Sequence, residues 1–166
     1  MKGIFCGVLL FFSLGNCFLS EEERQLRPNP KEPGPLERLA SSLSEGGILP
    51  AKDRLLVLSF TNSDGSPNPY GKILAEKLTT ELVKRDRFYV LDRMVHDRIL
   101  KEQGLSLETD QNLATLRQIG AVLQLQFLVT GIVSPYQEGV FVNCRLIDLK
   151  TGLIRKAEEV FVFTDG

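Results

Sequence analysis

The chain has 166 residues, 43% of them hydrophobic and 25% charged, with a formal net charge of −1. That length allows one domain with a real core, and the balanced charge excludes the basic surface by which nucleic-acid binders displace counterions. One histidine and three cysteines are a poor supply for a metal centre, which wants three or four converging ligands.

The N-terminus comes first in the chain and is the most informative segment. Lys2 supplies a positive n-region, Gly3 to Leu14 form an apolar run of 12 residues, and Leu14-Gly15-Asn16-Cys17 closes it. As a helix the run spans only ~18 Å against a bilayer core of ~30 Å. It therefore reads as the h-region of a secretory signal rather than as a membrane anchor. Cys17 stands where a bacterial lipobox carries its acylated cysteine, with Leu14 at −3 and Gly15 at −2. Asn16 departs from the usual Gly or Ala and looks like a relaxed form of the motif. The expectation is lipidation at Cys17; the alternative is ordinary cleavage nearby, with Cys17 incidental. Cleavage before Cys17 removes 16 of the 166 residues, leaving 150, and loss of Lys2 takes the formal net charge from −1 to −2. Cys6 leaves with the signal and Cys17 carries the lipid, so Cys144 has no partner for an internal disulfide.

Ser20 to Pro35 is polar and holds prolines at 28, 30, 33 and 35. Such spacing blocks helix and favours an extended path of ~3 Å per residue, which over ~18 residues would hold a domain up to ~50 Å from a membrane. A plain N-terminus without mechanical role fits the same composition. The division is then 1–16 signal peptide, 17–35 lipidated cysteine and tether, and 36–166 globular domain.

From Leu36 the pattern turns globular. Leu36, Leu39, Ala40 and Leu43 have helical spacing, with Gly46-Gly47 as the stop. Leu55 to Leu58 plus Phe60 is a continuous apolar run of strand length, as for a strand buried on both faces. After the turn-rich Asn62 to Pro67, a helix carries Tyr70, Leu74, Leu78 and Leu82 as its apolar stripe, widened by Ile73 and Ala75. Phe88 to Leu91 is a second strand. Asp92 can cap a helix carrying Val95, Ile99 and Leu100, ended by Gly104. Asp110 or Asn112 starts another, with Leu113, Leu116 and Ile119 inward and Gly120 near its end. The last third is strand-like: Leu125 to Val133, then Val140, Val142, Cys144 and Leu146 in alternation, a Lys150-Thr151-Gly152 turn, and Leu153 to Phe163 returning. The order α-β-α-β-α-α-β-β-β predicts an α/β fold: a single three-layer domain with a mixed sheet and an antiparallel end.

Catalytic chemistry is hard to assemble from these residues. Gly65 to Gly71-Lys72-Ile73 looks like a degraded P-loop, but five residues separate the glycines where four are needed, and Ile73 stands where a Ser or Thr must meet magnesium. His96, between charged neighbours, is expected to be a solvated surface histidine. Cys144, between Val142 and Leu146, is expected to be a small buried hydrophobe rather than a nucleophile. The sequence thus offers no catalytic residue, no cofactor site and no metal site.

A resemblance supplies a function class. Leu56-Val57-Leu58-Ser59-Phe60-Thr61-Asn62 followed by Tyr70 to Leu82, then Phe88 to Arg93, Ile99 to Ser106, Gly120-Ala121, Leu128-Val129-Thr130-Gly131 and Leu146 to Gly152 together resemble the CsgG/FlgO group of bacterial envelope lipoproteins. The likeness covers roughly 53 to 163. It implies a periplasmic α/β domain on a lipid anchor, non-enzymatic, supporting assembly of an envelope machine such as a flagellum or secretion channel; Phe18 rather than an acidic residue after Cys17 favours the outer membrane by analogy, while Glu21 to Glu23 leave inner or outer sorting open. Envelope protein partners follow from it, a homo-oligomer is a further possibility, and no cofactor is implied. The pore-forming members carry long inserted hairpins, and a membrane-crossing strand needs ~9–11 residues. Only Pro135 to Gly139 and Lys150 to Gly152 separate the last strands here, so pore formation is not carried over. The helix face over Asp92 to Gln103 is a candidate contact. A second reading is a soluble periplasmic ligand-binding module using the Thr61 to Pro69 loop; a third, an enzyme, would have to draw on Asp64, His96 or Cys144.

Overall fold

One strand, buried on both sides, organises the domain. A computed structural model describes residues 32–45, 52–105 and 113–164. The elements are α1 (Pro35–Ser44), β1 (Arg54–Val57), α2 (Gly71–Lys84), β2 (Tyr89–Val90), α3 (Arg93–Glu102), α4 (Leu113–Leu123), β3 (Phe127–Tyr136), β4 (Gly139–Asp148) and β5 (Ile154–Phe163). They follow the predicted order. Cys17, most of the tether, Gly46-Gly47 and the Asp110 or Asn112 helix start lie outside the described residues.

The five strands form one sheet in the order β2-β1-β3-β4-β5. β1 runs parallel to β2 and to β3, with Leu55 opposite Val90 and Phe127; β3–β4 and β4–β5 are antiparallel. Leu55 and Val57 enter a core under α1 and α2, while Leu56 and Leu58 enter a second core under α3 and α4. Alternation along a strand sends neighbours to opposite faces, so a continuous apolar run is what a doubly covered strand requires.

Pro35 opens α1, where its missing N–H costs nothing. Asp92 caps α3 by accepting from the N–H groups of Met94 (2.9 Å) and Val95 (3.3 Å), and Gly104 takes the positive φ that ends it. Gly71 and Gly131 clamp Phe60. A Cβ on Gly71 would lie 1.9 Å from the Phe60 carbonyl oxygen, and one on Gly131 would lie 2.4 Å from its ring. A larger residue at either position would therefore force Phe60 to shift.

Three expectations need correction. His96 is buried, 2% exposed, whereas Val95 is 38% exposed; α3 turns His96 and Leu100 inward, and the Asp92 carbonyl beside the ring lets the imidazole be buried with a local hydrogen-bond partner. Tyr70 precedes α2 and is exposed, and Ile73 is exposed too, so the buried stripe is Gly71, Leu74, Ala75, Leu78 and Leu82. Leu113, at the first turn of α4, is half exposed while Leu116 and Ile119 point inward as expected.

Candidate functional site

The Thr61 to Pro69 loop leaves the carboxyl end of β1, the place where open α/β sheets bind ligands. Its polar side chains bond one another. Asn62 Nδ2 donates to Ser66 Oγ (2.9 Å) and to the Pro67 carbonyl (3.1 Å), and Asn68 Nδ2 donates to Asn62 Oδ1 (2.7 Å). Asp64 accepts from Ser66 Oγ (2.6 Å) and Ser66 N–H (2.9 Å), and these bonds, the hydroxyl first, lower its pKa. Asn, Asp and Ser at these spacings build the turn itself. The groups the sequence offers for a ligand are largely engaged.

Between this loop and the first turns of α3 lies a cavity of about 290 Å³, lined by Leu58 to Thr61, Pro67, Asn68 and, from α3, Arg93, His96 and Asp97. Arg93 donates through Nη1 to Ser59 Oγ (2.7 Å) and through Nε to Glu76. His96 Nε2 stands 2.9 Å from Asp97 Oδ1 and Nδ1 stands 3.2 Å from the Asp92 carbonyl. Only an imidazolium could donate to both acceptors. Burial outweighs the pull of Asp97 and holds the His96 pKa below its ordinary 6.5, so at neutral pH the ring donates to one of them.

His96 and Cys144 lie on opposite sides of the sheet. Cys144 is fully buried in the core under α1 and α2, and burial pushes its thiol up to about 12, far from a reactive thiolate. Asp64 is exposed in its turn. The geometry brings none of the three together. No group of three metal-ligating side chains occurs among the described residues.

A different region stands out by its aromatic side chains. Opposite partners in an antiparallel pair share a face, so Phe141 with Phe161, and Gly139 with Phe163, lie on the face away from α1. There Tyr136, Phe141, Phe161 and Phe163 make a chain of edge and tilted contacts with centroids 5.0–6.4 Å apart. Beside them runs a groove of about 220 Å³ whose lining includes Leu116, Ile132, Asn143 and Arg145; Asn143 Oδ1 is buried there without a hydrogen-bond partner. Sequence reasoning passed over these aromatics. Their signal was present, since β4 and β5 carry large apolar residues at the positions alternate to their core-facing valines.

The turns joining β3, β4 and β5 are short, with Tyr136 opposite Gly139 at the first, so this end of the sheet has no inserted hairpin. The family described as FlgO protein matches residues 37–165. The chain belongs to the FlgO family. No curated protein matches it. Among solved structures, this FlgO-family chain is similar to the LpoB C-terminal domain from Escherichia coli, with 19% identity, 79% of this chain and 97% of that chain covered, and a TM-score of 0.65. The LpoB C-terminal domain from Salmonella enterica gives 21% identity, the same coverages and a TM-score of 0.64. At such identities the likeness is one of fold. It places the FlgO-family sheet, with its antiparallel end, in an architecture seen by experiment.

Proposed function

We propose that this protein is a lipid-anchored, non-enzymatic envelope protein of the periplasmic face of the outer membrane, supporting a flagellum- or secretion-associated machine through protein contacts. In this reading residues 1–16 are the signal peptide, Cys17 carries the lipid, 18–35 form the tether and 36–166 the binding domain. FlgO-family membership over 37–165 carries the reading, and Cys17 at the close of a signal-like run supports it. Acyl chains contribute about 0.8 kcal/mol per buried CH₂, so the domain needs only modest partner affinity once tethered. On the outer side of α3, Met94 is 82% exposed, an apolar residue available to a partner.

The test is detergent phase partitioning with intact mass, on native-host protein and on Cys17→Ala. The wild type should enter the detergent phase at a mass matching acylated Cys17, and the variant should stay aqueous. If both are aqueous and start at another residue, the anchor is lost. A second reading, a periplasmic ligand-binding module, is favoured by the cavity between the Thr61 to Pro69 loop and α3. A thermal-shift screen with nucleotides, glycans and peptides tests it; a saturable rise in Tm abolished by Arg93→Ala would move it to first place.

A further inference from the structure

β5 is the long edge of the sheet. It pairs with β4 on one side, and among the described residues no strand pairs with the other. From Lys156 to Phe163 the ladder with β4 is regular, and an edge whose outward groups meet no strand among the described residues is a template for another strand; which strand it takes is written in its own sequence. The bond from Thr164 N–H to the Glu138 carbonyl (3.1 Å) sets the phase of the ladder. Lys156, Glu158, Val160 and Val162 turn their backbone groups toward β4, so Ala157, Glu159, Phe161 and Phe163 turn theirs outward.

Around Ala157 the strand reads Arg155-Lys156-Ala157-Glu158-Glu159, two cations and two anions about a small residue. We infer that β5 pairs antiparallel with β5 of a second copy of this chain about a two-fold axis at Ala157, making one continuous sheet across the dimer. In a continuous sheet, opposed residues share a face, so the two-fold must fall on a residue and not between two. Centring it on Lys156 or Glu158 opposes like charges, as does centring on Arg155 or Glu159, and like charges directly opposite destabilise a ladder. Centring on Ala157 opposes Lys156 to Glu158 and Arg155 to Glu159, each twice by symmetry. It also makes the Ala157 pair one that exchanges both backbone hydrogen bonds, as its outward groups require. The register with β4 skips Arg155 between Lys156 and Ile154, so the paired stretch is the five residues Arg155 to Glu159 and does not continue through Ile154.

The charged residues could instead serve only to keep other strands away. A same-sign edge would do that better, and the antisymmetric order attracts its own copy. Ser42 on α1 donates to Glu158, and its carbonyl accepts from Lys156 Nζ (2.7 Å), so both side chains are held before pairing. The contact is small, and the dimer is expected to be weak in solution and promoted by tethering. It does not require lipidation of Cys17, so it can fail or stand independently of the anchor.

The experiment is sedimentation of the full chain carrying Cys17→Ala, up to the ~1 mM that a short tether supplies. Wild type should dimerise. Arg155→Glu alone and Glu159→Lys alone should each weaken the dimer at least tenfold, because each opposes like charges. An equimolar mixture of the two, and the double variant Arg155→Glu/Glu159→Lys, should recover it. Ala157→Cys should give an oxidised homodimer, whereas Glu159→Cys, opposite Arg155, should not; this pair of variants decides the matter if a charge variant misfolds. A wild type that stays monomeric overturns the proposal. So does a dimer indifferent to the charge variants, or one crosslinked equally well through Glu159→Cys.

Discussion

The two ends of the sheet solve the same problem in opposite ways. At the parallel end, β1 is covered on both faces, and its residues Leu55 to Leu58 are all buried. At the antiparallel end α1 lies over Val160 and Val162, while Phe141, Phe161 and Phe163 are half-buried on the other face and pack on one another. The first arrangement serves stability. The second places aromatic side chains beside a strand whose far side pairs with no strand among the described residues, the kind of surface that suits protein contacts.

The contrast predicts a steep difference in sensitivity to substitution. The largest loss is expected for Phe60→Ala beside β1, since removing a fully buried aromatic costs about 3–5 kcal/mol; urea titration would measure it, and a loss below about 1 kcal/mol would erase the contrast. Gly71→Ala comes next. Its Cβ meets the Phe60 backbone at 1.9 Å, where no side chain can yield, and overpacking of this sort costs about 1–3 kcal/mol. Tyr136→Ala, at the open end and 48% exposed, loses ring contacts worth about 0.5–1.5 kcal/mol. Its midpoint in urea should shift less than that of either core variant.

The smallest effect sharpens the comparison through pH. His96 has its pKa lowered in the fold, by burial against the opposing pull of Asp97. The unfolded chain therefore binds a proton more readily, and the contribution of His96 to stability, fully present above 6.5, is lost as pH falls toward the depressed folded pKa. Arg93 opposes protonation, and Asp92 and Asp97 favour it. His96→Gln should flatten the stability profile in that window, and an unchanged slope would assign it to the carboxylates instead.

Much of the parallel end could be read from the sequence because its rule is local. A run such as Leu55 to Leu58 has no exposed register, and Asp92 ahead of α3 with Gly104 behind it marks both helix ends. His96 could not be read that way. Its neighbours Asp97 and Arg98 are charged, and only the fold shows that the imidazole is directed inward to Asp92 and Asp97 while Val95 and Met94 face out. Tyr70 was misassigned for a similar reason: Asn68 Oδ1 accepts its N–H, so it belongs to the turn ahead of α2 rather than to the helix stripe. The antisymmetric charges around Ala157 are plain in the sequence, but they acquire meaning only once β5 is known to be the edge.

The way α1 sits on the sheet has a mechanical consequence. α1, the first of the described helices, grips the sheet through Leu39, Ala40 and Leu43 and through the bonds of Ser42 to Glu158 and Lys156. Tension arriving through the N-terminus would load this one helix before it reached any strand. α1 would then act as a fuse: single-molecule extension from the N-terminus should show a small, low-force step as α1 peels away, followed by one larger rupture of the sheet.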